Sequence, residues 1–510
     1  MSLSVPAPLV RLARPAVAVP ILCLVAMLAA LPGVIRGEAT LDEAYVYALS
    51  QHGFVAMLAF WTQDPQALLS QIIAYPFAVT GHSVWWLRIP PLLAFGGSVA
   101  LLWWTASQRY SPRVALGATA LLAISPLAVL NAPDARWPMY ALLAGTASWG
   151  CLLKAIDTGD RRWWIAYSLV ALACIYTNAT LVLLALAHAV PVLWERRRAL
   201  RPWLISLAGV AVATIPLALL TIGASGVNPL FRVPKPGPAD VPGFLAQLLG
   251  GGGPQRLRQL LVLLAVVLVL AAAWGLRSRL GSPEARGGWL ALTWLVVPIA
   301  GAFLISQGQN SIWLTRYLIA TVPAGCLLIA WAASRVPPKA AIPLVSAIVV
   351  LMAAAVIDES RSRGEPIEEW TAAIVAARPP GAPVVFYEAE GAQGAGYNDP
   401  SLGAADGTPM IPGWDETPPP PDITLLDSPE FDRLPVGPPG AELVQRLARR
   451  SASGVVVLAL RPSSPEAPGI TWARENCTVT SQDFTDSPTT VYRVSDCRTD
   501  TSAIPARPGV

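Results

Sequence analysis

The sequence predicts a polytopic α-helical membrane protein, about eleven spans followed by a small α/β domain, and three observations lead there. Of its 510 residues, 54% are hydrophobic and 13% charged, about half the charged share of an ordinary globular chain, and the mean hydropathy is +0.51. So few ions would not cover the exterior of a soluble protein this long. Apolar runs near the roughly 20 residues that a bilayer demands of a helix recur as far as residue 357. Beyond that point the chain changes in kind, becoming polar, acidic in places and rich in proline. The net charge of +4, without a long basic run or zinc-finger spacing, argues against nucleic acid as a partner.

The spans are read at 16–34, 85–105, 114–130, 138–153, 163–177, 179–194, 202–222, 258–276, 288–306, 316–333 and 340–357. The fifth and sixth are short and joined by a turn at Thr177–Asn178, so orientation has to separate them from a single long helix. With a cytoplasmic N-terminus, sixteen basic residues fall in inner segments, including Arg109, Arg113, Arg161, Arg162 and the Arg196–Arg198 cluster. Eight fall in outer ones: Arg36, Arg88, Arg136, Arg232, Lys235, Arg256, Arg258 and Arg316. Cytoplasmic loops carry the excess of Lys and Arg, and merging the two short spans would expel the Arg196–Arg198 cluster. The expected topology is therefore multi-pass in a bacterial plasma membrane, with the tail extracytoplasmic. The first span, preceded by Arg11 and Arg14, reads as an uncleaved signal-anchor.

The domain reading is a transmembrane part over 1–357, with a long first outer loop at about 35–84, and an extracytoplasmic α/β domain over 358–510. Within the tail, 366–377 and 440–450 read as helices and 383–389 and 454–460 as strands, interrupted by a Pro-rich loop at 391–439. Cys23, Cys151, Cys174 and Cys326 fall in spans and read as reduced, small apolar packers. Cys477 and Cys497 are the only pair in the tail and bracket two β-prone runs, 478–480 and 489–494, so a disulfide-closed hairpin is expected. No Cys or His cluster has metal-site spacing. Gly250–Gly253 and Gly394–Gly396 lack the Gly-Lys-Ser/Thr ending of a phosphate loop.

In a chain this poor in charge, ionisable groups at the outer membrane face need a reason, because each costs about 2.5–3.5 kcal/mol on insertion scales when placed within the bilayer. Asp42 and Glu43 are adjacent acids just past the first span; Thr40-x-x-Glu43 also reads as a helix capping box. Asp134-Ala-Arg136-Trp-Pro-Met-Tyr140 lies between the third and fourth spans, and Arg316-Tyr317 opens the tenth. Each Arg has two readings, snorkelling at the interface or clamping a phosphate through its paired donors. His52, His82 and His188 are isolated and read as interface or packing residues.

The order of these pieces carries a resemblance. Leu41-Asp42-Glu43-Ala44 follows the first span, and Gly81-His-Ser-Val-Trp-Trp-Leu-Arg88-Ile-Pro enters the second. Tyr110-Ser-Pro-Arg113, Ser125-Pro126, the Asp134–Tyr140 segment, Thr177-Asn178 and Arg316-Tyr317-Leu with Pro323 follow in turn. In that order the chain resembles the GT-C superfamily of integral-membrane glycosyltransferases, in particular the family of protein O-mannosyltransferases and lipid A aminoarabinose transferases, well over residues 38–200 and loosely over more. It departs from the family's Asp-x-His-Pro-Pro-Leu-Tyr pattern: the equivalent stretch is Gln63-Asp64-Pro65-Gln66-Ala67, where Asp64 remains without the His and the double Pro.

The resemblance implies a GT-C-like fold and transfer of a sugar from a polyprenyl-phosphate donor to a glycan, lipid or protein acceptor on the outer face, with the bilayer as the other partner. It implies Asp42 as general base with Glu43 beside it, and Arg136 and Arg316, joined by Arg88, on the donor phosphate. Asp64, Asp134, Tyr140 and Tyr317 are the residues it places around the acceptor. No cofactor is certain, and a divalent metal is left open. Only three of the 36 basic residues are Lys, a composition that fits a GC-rich bacterium and mannose or arabinofuranose donors. The competing classes are a lipid or glycan transporter or flippase, which would show internal repeats and midplane charges, and a GT-C-fold scaffold without catalysis.

Overall fold

The computed structural model describes residues 15–36, 40–61, 67–81, 84–194, 198–223, 233–275, 283–308, 311–359, 367–380, 382–386, 423–425, 447, 451, 453–460, 468–483 and 490–497. The chain divides into two compact units, residues 1–37 with 54–362 and residues 38–53 with 363–510.

The first unit is a helical bundle. Every expected span falls on helix, and eight helices among the described residues are long and apolar enough to cross a membrane: Pro15–Ile35, Val84–Ser107, Pro138–Thr158, Leu200–Thr221, Gln255–Trp274, Ala285–Ile305, Thr315–Ala333 and Pro338–Asp358. The other three are shorter. Pro112–Ala123 stops where Ser125-Pro126 starts a separate short helix, Pro126–Asn131, because proline suits a first helical turn and disfavours helix in the residue before it. Arg161–Thr177 ends at Asn178, whose extended backbone and side chain start the 3-10 turn Ala179–Val182 ahead of Leu183–Trp194. The tenth span begins as a 3-10 segment, Thr315–Thr321, kinked at Leu318, and becomes α-helical at Val322.

The bundle's centre is aromatic. Trp149 stacks on Trp294 with ring centroids 4.8 Å apart, and His188 meets the edge of Trp149. His188, 2% exposed, pairs its Nδ1 with the Tyr167 hydroxyl at 3.1 Å. Close helix approach depends on glycine. A Cβ at Gly145 would stand 2.7 Å from Ala320 Cβ, so this position lets the helix Pro138–Thr158 press against the 3-10 segment. Between spans, the Tyr110 hydroxyl donates to the Gly287 carbonyl at 2.8 Å, and burial pushes its phenol up.

The second unit contains the helix Leu41–Gln51 and a five-stranded sheet. Its strands are β1 (Val384–Phe386), β2 (Ile423–Leu425), β3 (Val456–Leu460), β4 (Thr478–Asp483) and β5 (Thr490–Ser495), in the order β2-β1-β3-β5-β4. β1 runs parallel to both β2 and β3, while β5 is antiparallel to β3 and β4. Central β3 is apolar along its whole length, as a strand covered on both faces must be. Val456 and Leu458 pack with Ile470 and Ala473 of the helix Pro468–Asn476 and with Val494. The expected hairpin is β4–β5, and Cys477 and Cys497 are disulfide-bonded across its base. The strands Val384–Phe386 and Val456–Leu460 lie within the expected 383–389 and 454–460, and the helix Ile367–Ala377 matches its prediction. The 440–450 helix and the 391–439 loop lie almost wholly outside the described residues.

Candidate functional site

Three chain reversals at one end of the bundle come together around an aromatic pair. Trp137 precedes the helix Pro138–Thr158 as its N-cap residue, and its ring lies 5.3 Å from that of Tyr317 at 31°. Arg136 and Arg316 are the sequence neighbours of those two rings, so the stack brings their chain segments together. The third reversal joins through Thr180, whose hydroxyl donates to the Tyr317 carbonyl at 3.1 Å and to Asn178 Oδ1 at 2.7 Å. Asp134 folds its own turn: Oδ1 accepts the Arg136 backbone N–H at 3.1 Å. The Arg316 guanidinium lies 5.9 Å from the Tyr317 ring centroid, within cation–π range. The Trp294 indole N–H donates to the Ala320 carbonyl at 3.0 Å, tying the 3-10 segment to the core.

Arg88 is placed otherwise. It is 2% exposed, and its Nη1 donates to the carbonyls of Gly33 at 2.9 Å and Val34 at 3.3 Å. Those are terminal carbonyls of the helix Pro15–Arg36, where a cation is favoured by the macrodipole. Gly33 in turn abuts Pro133, whose Cγ would be 2.6 Å from an added Cβ. Arg88 thus secures the helix end that supports the Asp134–Arg136 turn.

Tyr140, one turn into its helix, has its hydroxyl buried without a hydrogen-bond partner among the described protein groups. An unsatisfied buried hydroxyl costs about 1–3 kcal/mol, so a polar group arriving there would find a waiting partner.

Beside Arg316 lies a cavity of about 610 Å³. Its polar lining combines the cations Arg316 and Lys235 with Asn131, Gln247, Thr315 and the carboxylate of Asp240, one oxygen of which accepts the Gly237 N–H at 2.7 Å. Lys235 belongs to a proline-rich loop held by two side chains: Ser311 Oγ donates to the Pro234 carbonyl at 2.9 Å and Gln307 Nε2 to the Pro236 carbonyl at 3.0 Å. The same cavity touches Phe244 and Trp313, whose rings are 4.1 Å apart. On the other side of Trp313 is a groove of about 570 Å³ lined only by apolar residues and Gly325, among them Leu245, Val266, Leu295 and Leu328. Trp313 and the helix Asp240–Gly250 thus serve as a shared wall between a basic chamber and an oily one.

In the second unit, the helix Leu41–Gln51 opens with the expected capping box. Glu43 Oε2 accepts the Thr40 N–H at 2.9 Å, and Thr40 Oγ1 accepts the Glu43 N–H at 3.2 Å. Glu43 is 1% exposed, and capping accounts for one of its oxygens. Asp42 is the second residue of this helix; its side chain and the whole of Asp64 lie outside the described residues. Burial raises the Tyr47 phenol above its ordinary range. Among the described residues no group of three His, Cys, Asp or Glu is placed to hold a metal ion.

Lys235, Gln247 and Trp313 are missing from the candidate residues of the sequence. The available signal was weak: Lys235 is one of three lysines and falls in a loop expected to be outer, but nothing local pairs it with Arg316.

Residues 65–220 match the family described as dolichyl-phosphate-mannose-protein mannosyltransferase. No curated protein matches the chain by sequence. Among solved structures, the chain is similar to ArnT from Cupriavidus metallidurans bound to undecaprenyl phosphate, at 12% identity, with 94% of this chain and 97% of that one covered and a TM-score of 0.55. It is also similar to the oligosaccharyltransferase AglB from Archaeoglobus fulgidus in complex with an inhibitory peptide and a dolichol-phosphate, at 10% identity, 96% and 75% coverage and a TM-score of 0.50. The same organism's oligosaccharyltransferase tethered to an acceptor peptide matches at 11% identity, 87% and 69% coverage and a TM-score of 0.50. With its long apolar helices and small sheet, the chain is a multi-span membrane protein that shares the fold of these ArnT and oligosaccharyltransferase structures.

Proposed function

We propose that this protein transfers a sugar from a polyprenyl-phosphate donor to a cell-envelope acceptor, with inversion at the anomeric carbon. The observation that carries the reading is the shared wall at Trp313: an apolar groove sized for isoprene units adjoins a chamber holding Lys235 and Arg316. A lipid-linked sugar phosphate has this division, an oily tail and an anionic head. The likeness to ArnT with undecaprenyl phosphate and to AglB with a dolichol-phosphate points the same way.

The charge bookkeeping of the reaction favours cations at that place. A sugar phosphodiester carries one negative charge, and the departing polyprenyl monophosphate carries up to two. Arg316 and Lys235, with Arg136 on the adjoining turn, therefore stabilise the transition state and product more than the bound donor. Asp42 takes the proton from the acceptor hydroxyl as its oxygen attacks the anomeric carbon and the bond to the phosphate oxygen breaks. Glu43, fixed by its cap, orients the first turn that carries Asp42. Asp64, Asp134, Tyr140 and Tyr317 surround the acceptor in this reading, and Arg88 acts by holding the first helix.

The working face is extracytoplasmic and the N-terminus cytoplasmic, on the strength of the basic-residue asymmetry. Under that topology the turns at 131–137 and 178–180, the loop at 233–240 and the start of the tenth span all fall on one side.

The test is a transfer assay in membranes supplied with radiolabelled polyprenyl-phosphate mannose or arabinofuranose. Incorporation into envelope acceptors is expected; movement of donor between leaflets without transfer would make the protein a flippase, and neither would leave a scaffold. Asp42→Asn is expected to lower transfer about 10²–10⁴-fold while donor binding persists. Near-normal turnover in that variant would remove Asp42 from the chemistry.

A further inference from the structure

We propose that a second cavity, at the opposite end of the bundle, binds the anionic phosphate headgroup of a membrane phospholipid. The cavity measures about 580 Å³ and lies where the helix Pro138–Thr158 ends and the helices Arg161–Thr177 and Leu200–Gly223 begin. Its distance from the candidate site follows from the chain. Pro138–Thr158 is 21 residues long, which at 1.5 Å per residue is about 31 Å, close to the thickness of the hydrocarbon core.

The lining has the chemistry of a headgroup seat. Two exposed guanidiniums, Arg161 and Arg198, stand at the rim, and the hydroxyl-bearing Ser168 and Ser206 contribute polar lining. Asp157, also in the lining, does not neutralise them: both of its carboxylate oxygens accept from the two terminal nitrogens of Arg109. Asp160 is likewise engaged, accepting the Arg162 backbone N–H at 3.0 Å. Among the described residues neither Arg161 nor Arg198 forms an ion pair, so the cavity presents net positive charge. On its membrane side the same lining includes Ile165 and Ile205, which are 48% and 63% exposed. A free phosphate would have no use for these side chains, whereas the acyl chains of a phospholipid would lie against them. Basic pockets between transmembrane helices seat anionic headgroups in this manner.

This site does not depend on the transferase reading, and its test needs no sugar donor. The detergent-purified full chain is titrated with short-chain phosphatidylglycerol, phosphatidylcholine or inorganic phosphate, and bound lipid is counted by native mass spectrometry. Phosphatidylglycerol is expected to bind in preference to phosphatidylcholine. Loss of a cation should weaken it about fivefold per arginine, and about 30-fold in the Arg161→Gln/Arg198→Gln variant. The Arg161→Lys/Arg198→Lys variant, which keeps the charge, should retain most of the affinity and controls for folding. Competition by millimolar inorganic phosphate as strong as that by the lipid would overturn the lipid assignment. Equal binding of phosphatidylglycerol and phosphatidylcholine, or undiminished binding in the Gln variant, would overturn the site itself.

Discussion

Two basic cavities of nearly equal size occupy opposite ends of one helical bundle, about 610 Å³ around Lys235 and Arg316 and about 580 Å³ around Arg161 and Arg198. Their cations are alike, so charge does not distinguish them. What does is what each cavity adjoins. The first shares the Trp313 wall with an apolar groove and is bordered by turns locked through Trp137, Tyr317 and Thr180. The second opens past Ile165 and Ile205, side chains exposed on the bundle's surface. Turns tied by ring stacking and hydrogen bonds suit a reacting group that must be held in one geometry, whereas exposed aliphatic side chains suit a lipid that only has to stay.

The sharpest way to break this comparison is to remove the cation at the first cavity. Arg316→Ala should reduce transfer about 10²–10³-fold, the cost of deleting one donor aimed at developing charge, and should weaken donor binding as well. The second cavity's arginines should leave transfer unchanged. If Arg316→Ala transfers at the normal rate, the two ends are equivalent and Arg316 is a snorkelling residue. Lys235→Ala belongs to the same experiment and is expected to fall in the same direction.

A smaller effect is expected from loosening the built surround without touching its charges. In Gly145→Val the new side chain would collide with Ala320, and overpacking of this kind costs about 1–3 kcal/mol. The strain falls between the helix that follows Arg136 and the segment that carries Arg316, so donor affinity should drop about tenfold or more. Phospholipid binding at the far cavity should remain. Parallel loss of both would show that the variant has damaged the whole bundle.

The two ends also differ in how far they could be read from sequence. The eight long apolar helices were legible because apolar runs of bilayer length have few other uses, and the capping box at Thr40 and Glu43 because its spacing is local. The hairpin across Cys477 and Cys497 was legible for the same reason. Arg136 and Arg316 stood out by the scarcity of charges in the loops expected to be outer. Lys235 did not, since its loop is pinned to Ser311 and Gln307, more than seventy positions later. Arg88 was expected on the phosphate from residue type and location, and that its Nη1 reaches the end of the first helix, 54 and 55 positions earlier, needed the structure. Ser125-Pro126 was recognised within a motif, yet its local meaning, a break in the third span, needed the structure. Nothing local announces that Gly145 will face Ala320.

The smallest expected effect tests the far end alone. Asp157 and Arg109 form a two-pronged ion pair whose side chains are 37% and 23% exposed. Exposed pairs contribute about 0–1 kcal/mol, so Asp157→Asn should move the thermal midpoint by no more than about 2 °C. Its effect on lipid binding should be easier to see, because the substitution removes the only carboxylate in that cavity's described lining and releases Arg109 beside it. Phosphatidylglycerol should bind a few-fold more tightly, roughly the reverse of losing one arginine, while phosphatidylcholine binding and sugar transfer stay as they were. A variant with unchanged lipid preference would mean that Arg109 and Asp157 already lie outside the field of the bound headgroup. The attraction would then rest on Arg161 and Arg198 alone.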